Sequence, residues 1–223
     1  MAIVGRLGRP GPYGGSSGGA GDDGGPHQQE LDPDGEGGGR PPAEDPCATP
    51  EGRLEKAADA AAAQAIALFD QLARSAGEDG LNDRERGAYL FLNSDGSVTL
   101  GPISVGDLFD NGGVGTTGGL DLGGRDPATV IGSVHSHGVG NFLPSTDPGG
   151  LGDYDHFWGM VNMVGAAGGN AAQVRMYIGA QTTPPADVSA YNAIHYYDQN
   201  NLEGDIQNGE PSVEVDPNGQ PCP

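Results

Sequence analysis

The sequence predicts a mixed α+β domain of about 150 residues, carried between glycine- and proline-rich ends. Three observations support this. Apolar residues recur at helical spacing near the start of the ordered stretch. Short β-branched and aromatic runs, separated by turn residues, follow. The polar and flexible residues gather toward the termini: Gly 42 and Pro 18 leave a hydrophobic fraction of only 35%, below that of a globular chain even with glycine set aside in both.

Residues 1–48 read as a disordered Gly/Pro-rich leader, with almost no repeating apolar residue. Order is expected from Thr49. There Thr49-Pro50-Glu51 supplies a capping hydroxyl, a proline whose missing N–H costs nothing, and an acid in the first turn. Leu54, Ala58, Ala61, Ala65, Phe69 and Leu72 then make one apolar face, fading near Gly77–Gly80. A hairpin follows, with Ala88–Leu92 and Ser97–Leu100 as strands around Asn93-Ser94-Asp95-Gly96. After a Gly-rich loop reaching about Asp126, Thr129–Val134 reads as a buried strand that runs straight into His135. A second helix is expected from about Asp153 through Val164, and another strand at Val174–Ile178. Tyr191–Tyr197 fits either helix or strand. The domain is thus expected over 49–200, with 201–223 as a polar tail.

Charge and cysteines limit the function. A net charge of −21, from 31 acidic and 10 basic residues, argues against a nucleic-acid binder or a protein held on anionic membranes, since phosphates demand Lys and Arg. No run approaches the ~20 apolar residues of a membrane span. The first ten residues lack the apolar core of a secretory signal. Cys47 and Cys222 stand at opposite ends of the ordered region, either as two separate exposed thiols or as a staple formed in an oxidising compartment. Neither belongs to a CxxC pair.

The stretch from Val134 to Asp147 carries the chemistry. If the chain stays extended, His135 and His137 face the same side. Two imidazoles on one side suit zinc, and a catalytic zinc takes three protein ligands while leaving a place for water. A carboxylate must complete the set, and Asp147, Asp153 and Asp155 all follow within reach.

Strand, His135-Ser136-His137, loop, Ser145 and acids resemble the JAMM motif of JAB/MPN domains: an upstream Glu, H-x-H, seven residues, Ser, two residues, Asp. His135, His137 and Ser145 match in spacing. Glu85, in Arg84-Glu85-Arg86-Gly87 ahead of a strand, resembles the motif's Glu; alternatively it is a solvent-facing member of the arginine cluster. The aspartate departs from the pattern, because its place is taken by Pro148. Asp147 comes one residue early and fits a turn. Asp153 comes later and opens the predicted helix, where the family's ligand sits. Both stay open as the third ligand. The resemblance covers roughly residues 50–180 and is similar to the JAB-like domains at the ends of bacterial polymorphic and Rhs-type toxins.

The resemblance implies a cytidine-deaminase-like sheet flanked by helices and a Zn²⁺ ion held by His135, His137 and one aspartate. It also implies hydrolysis of a peptide or isopeptide bond, with Glu85 moving the proton and Ser145 bonding near the water or the oxyanion. A protein or peptide substrate and an immunity protein would be the partners. The setting would be a secreted or delivered effector without a classical signal peptide. A second reading is a JAB-like fold used only for binding or processing, and a third a surface protein whose metal is purely structural. His156 reads as a helix-surface residue beside the site, and His195 as part of an aromatic packing cluster with Tyr196 and Tyr197.

Overall fold

The computed structural model describes residues 45–107, 119–146, 152–183, 189–216 and 219–222. The leader expected over 1–48 lies outside them up to residue 44. The described residues belong to one compact unit, and this unit holds every element below.

The first helix, α1 (Pro50–Ser75), begins as its sequence dictates. The Thr49 side chain accepts a hydrogen bond from the Gly52 N–H at 3.0 Å, Pro50 stands in the first turn, and Arg74 lies in the last. The buried stripe is Ala58, Ala62, Ala65, Ile66, Phe69 and Ala73. It is rotated slightly from the expected one, so Leu72 is 41% exposed. Alanines along the stripe let the helix lie close to the sheet. At Gly179 a Cβ would stand 2.3 Å from Ile66 Cδ1.

Six strands make a mixed sheet: β1 (Arg86–Leu92), β2 (Val98–Leu100), β3 (Ser104–Val105), β4 (Val130–Ser136), β5 (Arg175–Gln181) and β6 (Asn192–Tyr197). The order is β2-β1-β4-β5-β6, with β3 also paired to β1. β4 runs antiparallel to β1 and parallel to β5, so it lies at the centre with all seven residues buried. The parallel pair is joined across α2 (Asp153–Ala166), as a parallel connection requires. Of the segment Tyr191–Tyr197, Asn192–Tyr197 forms a strand, because pairing with six residues of β5 holds it extended.

Two apolar clusters fill the two faces. One packs α1 against Ala88, Leu90, Ile131, Val134, Tyr177 and Ile194. The other packs α2 against Tyr89, Phe91, Val130, Met176, Ile178 and Tyr197. The result is mixed α+β, a sheet between helices.

The region after residue 200 departs from the polar tail expected of it. It forms α3 (Leu202–Asn208), buries Leu202 and Asp205, and bridges His195 to Glu214 beside β6. Ser212 donates through both N–H and hydroxyl to the Asp205 carboxylate. Seven helical residues carry too little periodicity to stand out. Cys47 and Cys222 form a disulfide, with Cα atoms 5.6 Å apart and a separation of 175 residues. Of the two readings of these cysteines, the staple is the one found.

Candidate metal centre

A β-bulge aims the histidines. Phe91 pairs with Val130, but Leu90 pairs with Gly132, so Ile131 is an extra residue on β4. The bulge inverts the alternation that follows it. Val130 faces the α2 layer, yet Val134 faces α1. Ser133 and His135, paired with Tyr89 and Gly87, therefore point toward α2, and His137 lies two residues further on. Gly132 fits the bulge because a Cβ there would stand 2.3 Å from the Arg175 carbonyl oxygen.

His137 continues the ladder by donating its N–H to the Gly179 carbonyl at 2.8 Å. Gly87 is equally constrained. Its Cβ would lie 3.1 Å from His135 Cβ and 2.9 Å from Leu120 Cδ2, so glycine at this point leaves room for the imidazole. Extending the register places Glu85 across from His137.

His135, His137 and Asp153 come together, each offering one ligand atom within 4.8 Å of the others. The two Nε2 atoms are 3.1 Å apart. His135 Nε2 is 3.1 Å from Asp153 Oδ1, and His137 Nε2 is 3.2 Å from Oδ2. Ligands held at ~2.0–2.1 Å around a tetrahedral ion stand about 3.3 Å from one another. The separation of the two imidazole nitrogens, and of each from its nearer Asp153 oxygen, is close to that. Two imidazole nitrogens and a carboxylate converging in a buried place all offer lone pairs, and a cation satisfies them together. The residues fit a metal ion on this geometry.

The charges agree. Burial works against protonation of His135, but the Asp153 carboxylate outweighs it, with Glu85 adding, and raises the imidazole's pKa. Burial likewise opposes ionisation of Asp153, yet His135 and His137 hold its carboxyl well below the usual range. Asp153 is thus a fixed anion.

Ser145 fixes the carboxylate. Its N–H and its hydroxyl donate to Asp153 Oδ2 at 2.8 and 2.9 Å, and its Oγ accepts the Asp153 N–H at 3.0 Å. Oδ1 is left toward His135. Asp153 is also the first residue of α2, with Gly152 as the cap, so the helix start contributes its positive end to the anion.

Of the acids expected near the histidines, Asp153 is the one found there. Asp147 lies outside the described residues. Asp155, in the same first turn, is exposed. Glu85 is only 7% exposed, and its Oε1 is 3.8 Å from His137 Nε2, so the solvent-facing reading of this residue is set aside. His156 differs from the expected surface residue. It stacks on Tyr89 at 6.0 Å between centroids, and burial, then the nearness of His135, pushes its pKa down to about 4. His195 packs edge-on against Phe142, as a packing residue.

Sequence reasoning missed Glu78. Its carboxylate receives Arg84 at 2.9 Å, in an ion pair whose angle falls outside hydrogen-bond geometry, and it is also hydrogen-bonded by Arg86. An isolated glutamate after a helix has no motif to mark it.

No family model matches this chain, and a search of curated proteins finds no match.

Proposed function

We propose that this domain is a zinc-dependent peptidase or isopeptidase of the JAB/MPN type, with a protein or peptide as substrate. One observation carries the reading: a His135–His137–Asp153 triangle with Glu85 buried beside it. The order along the chain also agrees with the motif, as Glu85 precedes a strand, the histidines end another, and the aspartate opens a helix. The two-nitrogen, one-oxygen set suits zinc and leaves a coordination place open. A JAB/MPN-like, cytidine-deaminase-like form of the mixed sheet belongs to the same proposal. So does the setting of a toxin or effector met by an immunity protein, which rests on the resemblance alone.

Bound zinc supplies a Lewis acid that acidifies water toward a pKa of about 7 and polarises a carbonyl. The rest falls to the protein. His135, His137 and Asp153 would hold the ion. Glu85 takes the proton of the attacking water and returns it to the leaving amine, so that one amide and one water yield an acid and an amine. Ser145 keeps Asp153 in its rotamer through two donated bonds. The longer Ser145–Asp153 spacing favours the second reading, a binding module without turnover, and the same experiment separates the two.

Elemental analysis of wild type reconstituted with zinc is expected to give about one ion per chain, lost in His137→Ala and Asp153→Asn. Glu85→Gln should keep the metal and the fold, and should slow cleavage of casein or an isopeptide-linked peptide by about 10²–10⁴-fold. Zinc with no cleavage in wild type selects the binding module. A zinc-free wild type ends the peptidase reading.

A further inference from the structure

The segment Arg84-Glu85-Arg86 divides across the sheet. The guanidinium groups of Arg84 and Arg86 meet Glu78, while the Glu85 carboxylate lies against His137. Glu78 is anchored to the end of α1, where its N–H donates to the Ala73 carbonyl at 3.0 Å. Arg86 is 3% exposed, and a buried guanidinium without a counter-charge is strongly unfavourable. Further bonds fix the segment. The Arg86 N–H donates to Ser136 Oγ at 3.0 Å, the Glu85 carbonyl accepts from the Gly106 N–H at 2.8 Å, and Arg86 Nη1 lies 3.5 Å from the Arg84 carbonyl oxygen. The Arg86 cation therefore stands beside the backbone that carries Glu85.

We infer that Glu78 is a positioning residue for Glu85: by occupying both flanking guanidinium groups, it leaves the Glu85 carboxylate turned toward the metal centre. The inference rests on Glu85 being the proton carrier proposed above. Two cations flank Glu85 in sequence, and Glu78 is the carboxylate that engages them both. With Glu78 uncharged, Glu85 becomes the neighbouring anion able to pair with them. It would then be drawn away from His137 toward the arginines. The role of Glu78 is electrostatic and acts at a distance from the reacting atoms. It also links the end of α1 to the site on the opposite face of the sheet.

The test is a crystal structure of the full chain as wild type, Glu78→Gln and the triple variant Glu78→Gln/Arg84→Gln/Arg86→Gln, with zinc content measured on each. In wild type Glu85 is expected beside His137. In Glu78→Gln the Glu85 carboxylate should turn to ion-pair distance from Arg84 or Arg86. In the triple variant, which removes both cations as well, it should return. Where cleavage is found, Glu78→Gln should lower kcat at least 10-fold with KM little changed, and Glu78→Asp should recover part of it. An unmoved Glu85 in Glu78→Gln overturns the inference. Should the single variant not fold, a triple variant with Glu85 still turned away from His137 overturns it too. A wild type without zinc refutes the peptidase reading, while the Glu85 orientation still decides the role of Glu78.

Discussion

The two faces of the sheet are built from the same strands yet have opposite interiors. Under α1 the core is mainly apolar, with Arg86 buried beside it. Some of its polar groups find partners, as where Tyr177 donates to Asp59 at 3.0 Å, while Asp70 Oδ1 and Arg84 Nε are buried on that side without a hydrogen-bond partner among the described residues. Under α2 the same strands present Ser133, His135 and His137 among aromatic residues. Ser133 Oγ, His137 Nδ1, His156 Nε2 and Trp158 Nε1 are buried there without a hydrogen-bond partner among the described residues. Buried polar groups left unsatisfied are costly, so natural proteins concentrate such exceptions where function demands them. The α1 face holds the fold together, and the α2 face spends part of that stability on a site.

The sharpest way to break this contrast is to damage the α1 face alone. Phe69 is fully buried there, and Phe69→Ala should cost about 3–5 kcal/mol in urea unfolding, while the folded fraction still binds metal. A metal content that falls in step with stability in folded protein would merge the two faces into one unit. The disulfide comes next. It joins the segment ahead of α1 to the C-terminal strap across 175 residues, so reduction or Cys47→Ser should lower stability by roughly 2–5 kcal/mol. Thermal melts with and without reductant would read this, with the site geometry unaffected. The smallest effect belongs to the α2 face. Ser145→Ala removes the hydroxyl bond to Asp153 and should weaken metal binding by about 10–100-fold, measured by competition with a chelator. Little change in unfolding free energy is expected there, since groups set for function contribute little to holding the fold.

Much of the fold was legible in local patterns. The α1 start was readable because Thr49, Pro50 and Glu51 act on the first turn itself, and the hairpin because Asn93–Gly96 is turn chemistry. The histidine pair was readable because alternation along an extended strand needs no partner. What failed to show were features that depend on distant residues. Leu72 looked core-facing by period, but the sheet sets the rotation of α1. The strap after residue 200 looked polar, but Val215 is 3% exposed once it lies beside β6. The pairing of Cys47 and Cys222 required both chain ends to arrive together.

The site divides in the same way. The alternation of the strand put His135 and His137 on a common side and left acids within reach. The sequence left Asp147 and Asp153 as competing third ligands and did not say which side the histidines face. Packing turned the histidines and brought Asp153 to them, while Asp147 lies outside the described residues. The bulge at Ile131 turned the histidines toward α2, and the start of that helix delivered Asp153 with Ser145 to steady it. Local sequence fixes the phase of a strand relative to itself. Only pairing with β1 reveals an extra residue in β4, and only packing across the sheet brings a carboxylate sixteen residues downstream of His137 against it.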